Sequence, residues 1–491
     1  MSDVSATRCV QRLLSAEVSA ITRVTSIRKV LAVLAGVLVV PVAGGAQPVG
    51  VRRCMTDTTQ IAGSPSQRVT LDTIAPGITY TCLLRPEGPW LLHVATIDLR
   101  NRAYVIDGVR AMDRMVGRER VSAMAARLAA RGERPMVMIN ADFFDLGTGE
   151  IENNHVVNGA WVKGEVVTDS PHDEFDNAHT QFAIDRSGGV HMGRFELHGE
   201  VRAGRRGHEL VGINYRPPRT PGLVLYTPWY GGRTLSDTSA RATAVRPRDP
   251  DATPVGPPPP PGAATPPSVA RPAPSASQLR ADSARAAALA VTRAAVEVAL
   301  VAAGRRGDTL LYSVRSGRVQ SGGGTRIPRG GAVLSATGDS AVAFLRRVAR
   351  RGGVVRVVAG LGDPTFIPRV SVGGWPRVVQ DGVNVATRAD SLEGTFPRFS
   401  AARHPRSAVA LSRDSAQLML VVVDGRRPWS VGMSLAELGD ALISLGAWQA
   451  MNLDGGGSSA LWVGGEVVNY PSDPTGERAV GNALMVRRRR H

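Results

Sequence analysis

Lysine is almost missing from this chain: Lys29 and Lys163 are the only two, and arginine supplies every other basic residue. The formal net charge still reaches +17. Those arginines are spread along the whole length and accompany no recognisable nucleic-acid module. The charge therefore reads as composition rather than a built patch, and no nucleic-acid partner is expected. Arginine does suit bidentate capture of phosphate or carboxylate, so an anionic substrate fits. Aromatic residues are also scarce, at 5%, which argues against a surface built mainly on ring stacking. Long apolar runs are lacking too. The run "VLAVLAGVLVVPV" after Arg28-Lys29 is well short of the roughly 20 residues of a membrane span. With "AGGAQP" behind it, the run reads as the core of a signal peptide occupying residues 1–46, cleaved after Ala46, with an uncleaved anchor as the alternative that the long segment before the run leaves open. The expectation is a secreted, periplasmic or cell-envelope protein with no stable membrane span once the signal is removed. Of three cysteines, Cys9 leaves with that signal. Cys54 and Cys82 remain as an even pair in an oxidising compartment, either bridged or as two buried thiols.

What the chain does contain is strand-like text with few helices. Residues 47–90 are polar and turn-rich and read as a lead-in. From Leu91 to about residue 487 the chain reads as one domain carrying an insertion, because neither side of the insertion looks complete alone. The insertion, residues 236–291, is too rich in proline for helix or sheet and is expected to be disordered. A basic tail follows at 488–491. The spacing of Val121, Met124, Ala125 and Leu128 predicts a helix ending near Gly132. A second helix is predicted over "SLAELGDALISLG", opened by a Ser434/Glu437 capping box. The expected fold is α+β, with mixed and antiparallel sheets and packed helices.

Two segments echo each other. "VIDG" at 105–108, a helix, "INAD" and "WVKGEVV" are followed, in the second half, by "VVDG" at 422–425, a helix, "MNLD" and "WVGGEVV" in the same order. This order predicts an internally duplicated strand–helix–strand core. It would bring Asn140 and Asp142 to a loop equivalent to that of Asn452 and Asp454, with both loops facing one cleft.

The stretch "MNLDGGGSS" at 451–459 concentrates the chemistry. Consecutive glycines let backbone N–H groups converge on an anion, and Ser458 and Ser459 add hydroxyls. A tight structural turn, with Asp454 bonding its own backbone, explains the same residues equally well. A phosphate-binding Walker loop is excluded because no lysine follows, and a G-x-S-x-G elbow because Ala460 stands at the last place. The hydrophobic residues in "DFFDLGTGEIE" exclude an EF-hand.

"RHPRSAVALSRDSAQLMLVVVDGRR", "GMSLAELGDALISLGAWQAMNLDGGGSSALWV" and "NYPSD" resemble the motifs of the phosphodiester glycosidase family. Asn140-Ala141-Asp142-Phe143-Phe144 is similar to its earlier N-G-[GD]-[YF]-F motif. The resemblance runs from about Leu91 to Val486 and departs from the family pattern at Ala141, Ser407, Ala410 and the insertion. It implies hydrolysis of a sugar-1-phosphodiester bond, with a glycan or sugar phosphate as the partner. By that resemblance Arg406 would recognise phosphate, with Arg426 a weaker candidate. Gly455, Gly456, Gly457 and Ser458 would complete the cradle. Asp454 is the carboxylate expected to act at the anomeric carbon, and Asp142 is second. Asn140 and Asn452 would orient sugar or phosphate. No cofactor is firmly implied; Asp142 and Asp454 are compatible with a shared divalent cation such as Ca²⁺. The rival readings are an exo-glycosidase on a non-phosphorylated glycan and a non-catalytic module binding anionic envelope polysaccharide.

Overall fold

Alternating and continuous apolar stretches make the fold sheet-rich with few helices, so the packed helices of the expected α+β fold are a minor layer. The computed structural model describes residues 68–490, apart from 169, 171–172, 176, 216–220, 236–294, 315–316 and 318. The expected signal peptide, the whole proline-rich insertion and Cys54 lie outside the described residues. Cys82 is disulfide-bonded. Among the described residues, no helix is long and apolar enough to cross a membrane.

The core that carries the candidate site is a stack of helix, sheet, sheet and helix. An eight-stranded sheet runs in the order Arg68–Ala75, Ile78–Arg85, Trp90–Asp98, Gln417–Val423, Arg406–Leu411, Gln449–Leu453, Arg377–Gln380, Val383–Asn384. Its central strands are buried on both faces, which is why they read as unbroken apolar text. Successive residues part between two cores. Val409, Leu411, Leu418, Leu420 and Leu453 pack towards a second sheet, while Ala408, Ala410, Met419 and Val421 pack towards the helix Leu435–Ser444. That helix starts on the predicted capping box: the Ser434 hydroxyl accepts from the Glu437 N–H, and the Ser434 N–H donates to the Glu437 carboxylate. The second sheet has five strands, with Pro135–Asn140 between Leu461–Val463 and Asn482–Arg488. Its far face packs on the helix Val121–Ala130 through Val121, Met124 and Ala125.

The two echoing segments occupy these two sheets. Tyr104–Arg110 and Pro135–Asn140 flank the antiparallel strand Asn482–Arg488. Gln417–Val423 and Gln449–Leu453 flank the antiparallel strand Arg406–Leu411 in the same manner. The fourth matched element departs from this pattern. Leu461–Val463 pairs with Pro135–Asn140, whereas Ala160–Glu165 pairs with His155–Val157 and Arg206–Ile213 in a third sheet.

That third sheet closes on itself. Leu197–Ala203, Val354–Leu361, Thr309–Val314, Val296–Arg306, Gly331–Ala336, Leu223–Tyr226 and Arg206–Ile213 form a seven-stranded barrel, shut by the pairing of its first and last members. The helix Asp339–Arg351 lays Phe344, Leu345 and Val348 against the barrel's core. Residues 68–85, expected as a lead-in, are instead two paired strands that extend the eight-stranded sheet through Trp90–Asp98.

Candidate active site

The ends of strands Pro135–Asn140 and Gln449–Leu453, one from each stacked sheet, meet at the candidate site. Asn140 is the strut between them. It is fully buried; its Nδ2 donates to the Asp454 carbonyl at 2.6 Å, and its Oδ1 accepts from the Ser407 hydroxyl at 2.8 Å and the Ala460 N–H at 3.1 Å. The Asp454 N–H returns a bond to the Ala141 carbonyl at 2.8 Å. Asn452 is likewise fully buried, with Nδ2 on the Trp375 carbonyl at 2.7 Å. Its Oδ1 is buried without a partner. The two asparagines predicted to orient a substrate therefore hold loops in place, with one amide oxygen left over.

The glycine run has a specific cause at each position. A Cβ on Gly455 would stand 2.8 Å from the Pro405 carbonyl oxygen, and one on Gly457 would stand 2.3 Å from the Arg478 guanidinium. Gly456 sits at φ +59°. The backbone closes mostly on itself. Gly456 N–H donates to Pro405 O, Ser458 N–H to Gly455 O, and Ser459 N–H to Gly456 O. A row of free amides facing an anion is not formed. Positive charge comes instead from side chains on both sides of the turn. Arg426 is exposed, and its Nη2 lies 3.3 Å from where a Gly456 Cβ would be. Arg478 is held by Asp473 at 2.7 Å and reaches the Ser458 hydroxyl at 3.3 Å.

Asp454 lies half-buried at the head of the turn, within the influence of Arg478. Burial pushes its carboxyl up to about 6, against the opposing pull of the Ser458 hydroxyl, Arg478 and the Gly455 N–H. Asp142 is buried and held by other partners. Its Oδ1 accepts from Asn153 Nδ2 at 2.6 Å and its Oδ2 from the Asn153 N–H at 3.0 Å. Burial pushes it up to about 7, and neighbouring Glu152 adds to the rise. The sequence brings the two aspartates to adjacent loops, but each is governed by different neighbours. Among the described residues, no group of three or more His, Cys, Asp and Glu side chains is arranged to hold a metal ion.

The Phosphodiester glycosidase family model matches residues 301–487, which include Arg406, Arg426, the Asn452–Ser458 stretch and Arg478. Over that stretch this chain resembles the phosphodiester glycosidase family. It is 39% identical over 80 residues to the bovine (Bos taurus) N-acetylglucosamine-1-phosphodiester alpha-N-acetylglucosaminidase, covering 16% of this chain and 15% of that protein. It spans 13–17% of the length of the curated relatives it matches. The fold is shared with a hypothetical protein from Synechocystis, at TM-score 0.58 and 19% identity, covering 87% of this chain and 64% of that one. It is also shared with a Burkholderia pseudomallei K96243 protein described as exported, at TM-score 0.54 and 22% identity, covering 81% of this chain and 74% of that one.

The predicted phosphate ligand Arg406 is a buried brace. Its Nε donates to Met433 O at 2.8 Å and its Nη2 to Phe399 O at 2.8 Å and Ala402 O at 3.1 Å. Burial pulls its pKa down to about 9, so it stays charged at neutral pH. Its guanidinium lies over the Phe399 ring at 5.0 Å. Phe399 in turn stacks on Trp375 at 4.9 Å, and Trp375 stacks on His179 at 5.2 Å. The His179 ring bonds Asp173 at 2.6 Å.

Sequence reasoning missed this stack, which joins residues about the site that are far apart in the chain. It also missed Arg478 and Glu152. Glu152 is half-buried, and its carboxyl is pushed up to about 7 by burial, against the pull of His179. One signal was available for Arg478: it follows Asp473 of "NYPSD" by five residues across a Pro-Thr-Gly turn, the spacing of a closed loop. Asp424 is buried. It accepts the Tyr470 N–H at 3.0 Å and bonds buried His93 at 3.0 Å, so it anchors the loop that carries Arg478.

Proposed function

We propose that this chain is an exported hydrolase that cleaves a sugar-1-phosphodiester bond, of the N-acetylglucosamine-1-phosphodiester type, in cell-surface or extracellular glycans. The observation that carries this reading is Asp454, a half-buried carboxylate pushed up to about 6, with Arg426 and Arg478 flanking its glycine turn. A phosphodiester is already a good leaving group, so its protonation matters less than in an ordinary glycoside. The site needs a carboxylate near the anomeric carbon and positive charge at the departing phosphate. Asp454 activates water or attacks that carbon itself. In either course the bond from carbon to phosphate oxygen breaks with its electron pair on the oxygen, where Arg426 and Arg478 stabilise it. Arg406 positions the Phe399–Ala402 segment behind the site. Asp142 stands second in line as a carboxylate. The two matching strand arrangements support a further part of the reading, that the two halves of the site descend from a duplicated strand–helix–strand unit.

The test is release of free sugar from UDP-N-acetylglucosamine or a simple glycosyl-1-phosphodiester, with Asp454→Asn alongside. Release by the native chain, lost by about a thousandfold or more in the variant, supports the reaction and the carboxylate together. Release that survives in the variant moves the role to Asp142. No release from several donors, with the same compounds still bound, favours the binding module. Adding Ca²⁺ or a chelator to the same assay decides whether Asp142 and Asp454 share a divalent cation.

A further inference from the structure

The barrel's interior is not filled to its end. Ile213, Leu225, Tyr312 and Val357, all members of the barrel's core, line a cavity of about 260 Å³ that opens beside the Asn158–Trp161 turn and Trp229. None of the residues placed at the candidate active site lines it. Barrels of about this strand number either fill with side chains or keep room for one small ligand.

The chemistry of the lining is one-sided. The floor is aliphatic and aromatic. Trp161, Trp229 and exposed Arg305 stand at the mouth, Arg305 is the one charged residue of the lining, and no carboxylate lines the cavity. Neutral polar groups of Asn158 and Thr227 and the single positive charge of Arg305, over an apolar floor, complement a molecule with an apolar body and an anionic head. A cavity of about 150 Å³ takes benzene, so this one has room for a chain of about eight carbons.

We propose that the barrel mouth is a binding site for a free medium-chain alkyl anion, a carboxylate or monoalkyl phosphate, with its head on Arg305 and its chain in the barrel. The tryptophans cover the chain where it enters. This site is separate from the proposed glycosidase chemistry and does not depend on it.

Calorimetric titration of the full chain with sodium octanoate and with n-octyl phosphate tests this, with butanoate and hexanoate for length and octylamine for charge. Each added methylene is expected to tighten binding about three- to fourfold until the pocket is full. Arg305→Glu, at an exposed position that the fold does not need, is expected to weaken octanoate by about tenfold or more and to favour octylamine. Ala359→Phe fills the cavity and is expected to abolish binding of all of them. No binding of octanoate or octyl phosphate at millimolar concentration overturns the proposal. So does affinity independent of chain length, or an Arg305→Glu variant that binds octanoate as the native chain does. Pelleting with phosphatidylglycerol vesicles, without binding of the free anions, would assign the patch to a membrane surface and overturn it equally.

Discussion

The Asp454 carboxylate is held between opposing influences, and its neighbours decide where it titrates. Burial raises it, while the Ser458 hydroxyl and Arg478 lower it. Because it must be ionised to act, activity is expected to rise with pH through about 6. Arg478→Gln removes a cation that favours the ionised form. The acid limb of the pH–rate profile should then move upward by roughly half to one pH unit, with a fall in maximal rate. A lowered rate with an unmoved limb would mean that Arg478 serves the phosphate alone. Asp142 offers the complementary test, on stability. Its folded pKa, about 7, stands above its ordinary 3.8 because it is buried, so the neutral form favours the fold. That contribution is complete below the unfolded pKa and is lost as pH rises through the folded value. Asp142→Asn cannot titrate. Relative to the variant, the native chain should lose on the order of 3 kcal/mol of stability between about pH 4 and about pH 8. Chemical denaturation of both proteins across that range measures the difference, and parallel curves would refute burial as the cause.

Elements rather than single side chains set the shape of the glycine turn, and its three glycines should respond differently. An alanine at Gly455 meets the backbone carbonyl of Pro405, which belongs to the start of the strand Arg406–Leu411 and cannot yield cheaply. Gly455→Ala is expected to cost about 1–3 kcal/mol in thermal or chemical denaturation. At Gly457 the atom met is the far end of the Arg478 side chain, which can swing away. Gly457→Ala should therefore leave stability within about 0.5 kcal/mol of native while losing sugar release, because the guanidinium leaves the turn. Equal destabilisation by both would show that Arg478 is a structural clamp rather than part of the site. The turn was legible as a feature because nothing else in the chain concentrates glycine beside an Asn-x-Asp. Its purpose was not, because the amides that glycine frees are taken up by Pro405 O, Gly455 O and Gly456 O. The arginines that replace them come from other loops. Among so many arginines, Arg478 was marked only by its spacing from Asp473 across the Pro-Thr-Gly turn. The helix Leu435–Ser444, by contrast, was legible to its first residue, because a capping box is a local device.

At the scale of the whole molecule, the stacked sheets could be read because their strands are short-range in pattern and buried on both faces. The barrel could not. Leu197–Ala203 finds its partner Val354–Leu361 more than 150 residues away, with the proline-rich stretch between them. A pairing rule that depends on period 2 says nothing about which distant edge is met. The same geometry makes a prediction about that stretch. Residues 234–235 and 295–297 are tied to a single turn. The Gly324 N–H donates to Leu235 O at 3.1 Å, the Gly322 N–H donates to Ala295 O at 2.9 Å, and the Thr234 hydroxyl bonds Glu297 at 2.8 Å. The barrel strand Val296–Arg306 thus takes register from the Gly322–Thr325 turn and from its neighbours Thr309–Val314 and Gly331–Ala336. Replacing 236–294 with a short Gly-Ser linker of about six residues should leave a cooperative unfolding transition and native sugar release. Closing a loop about tenfold shorter costs less entropy, worth about 2 kcal/mol in favour of the fold, so the transition should sit at or above the native temperature. A broadened transition, or loss of the alkyl-anion site with retention of sugar release, would mean that the replaced stretch takes part in building the barrel.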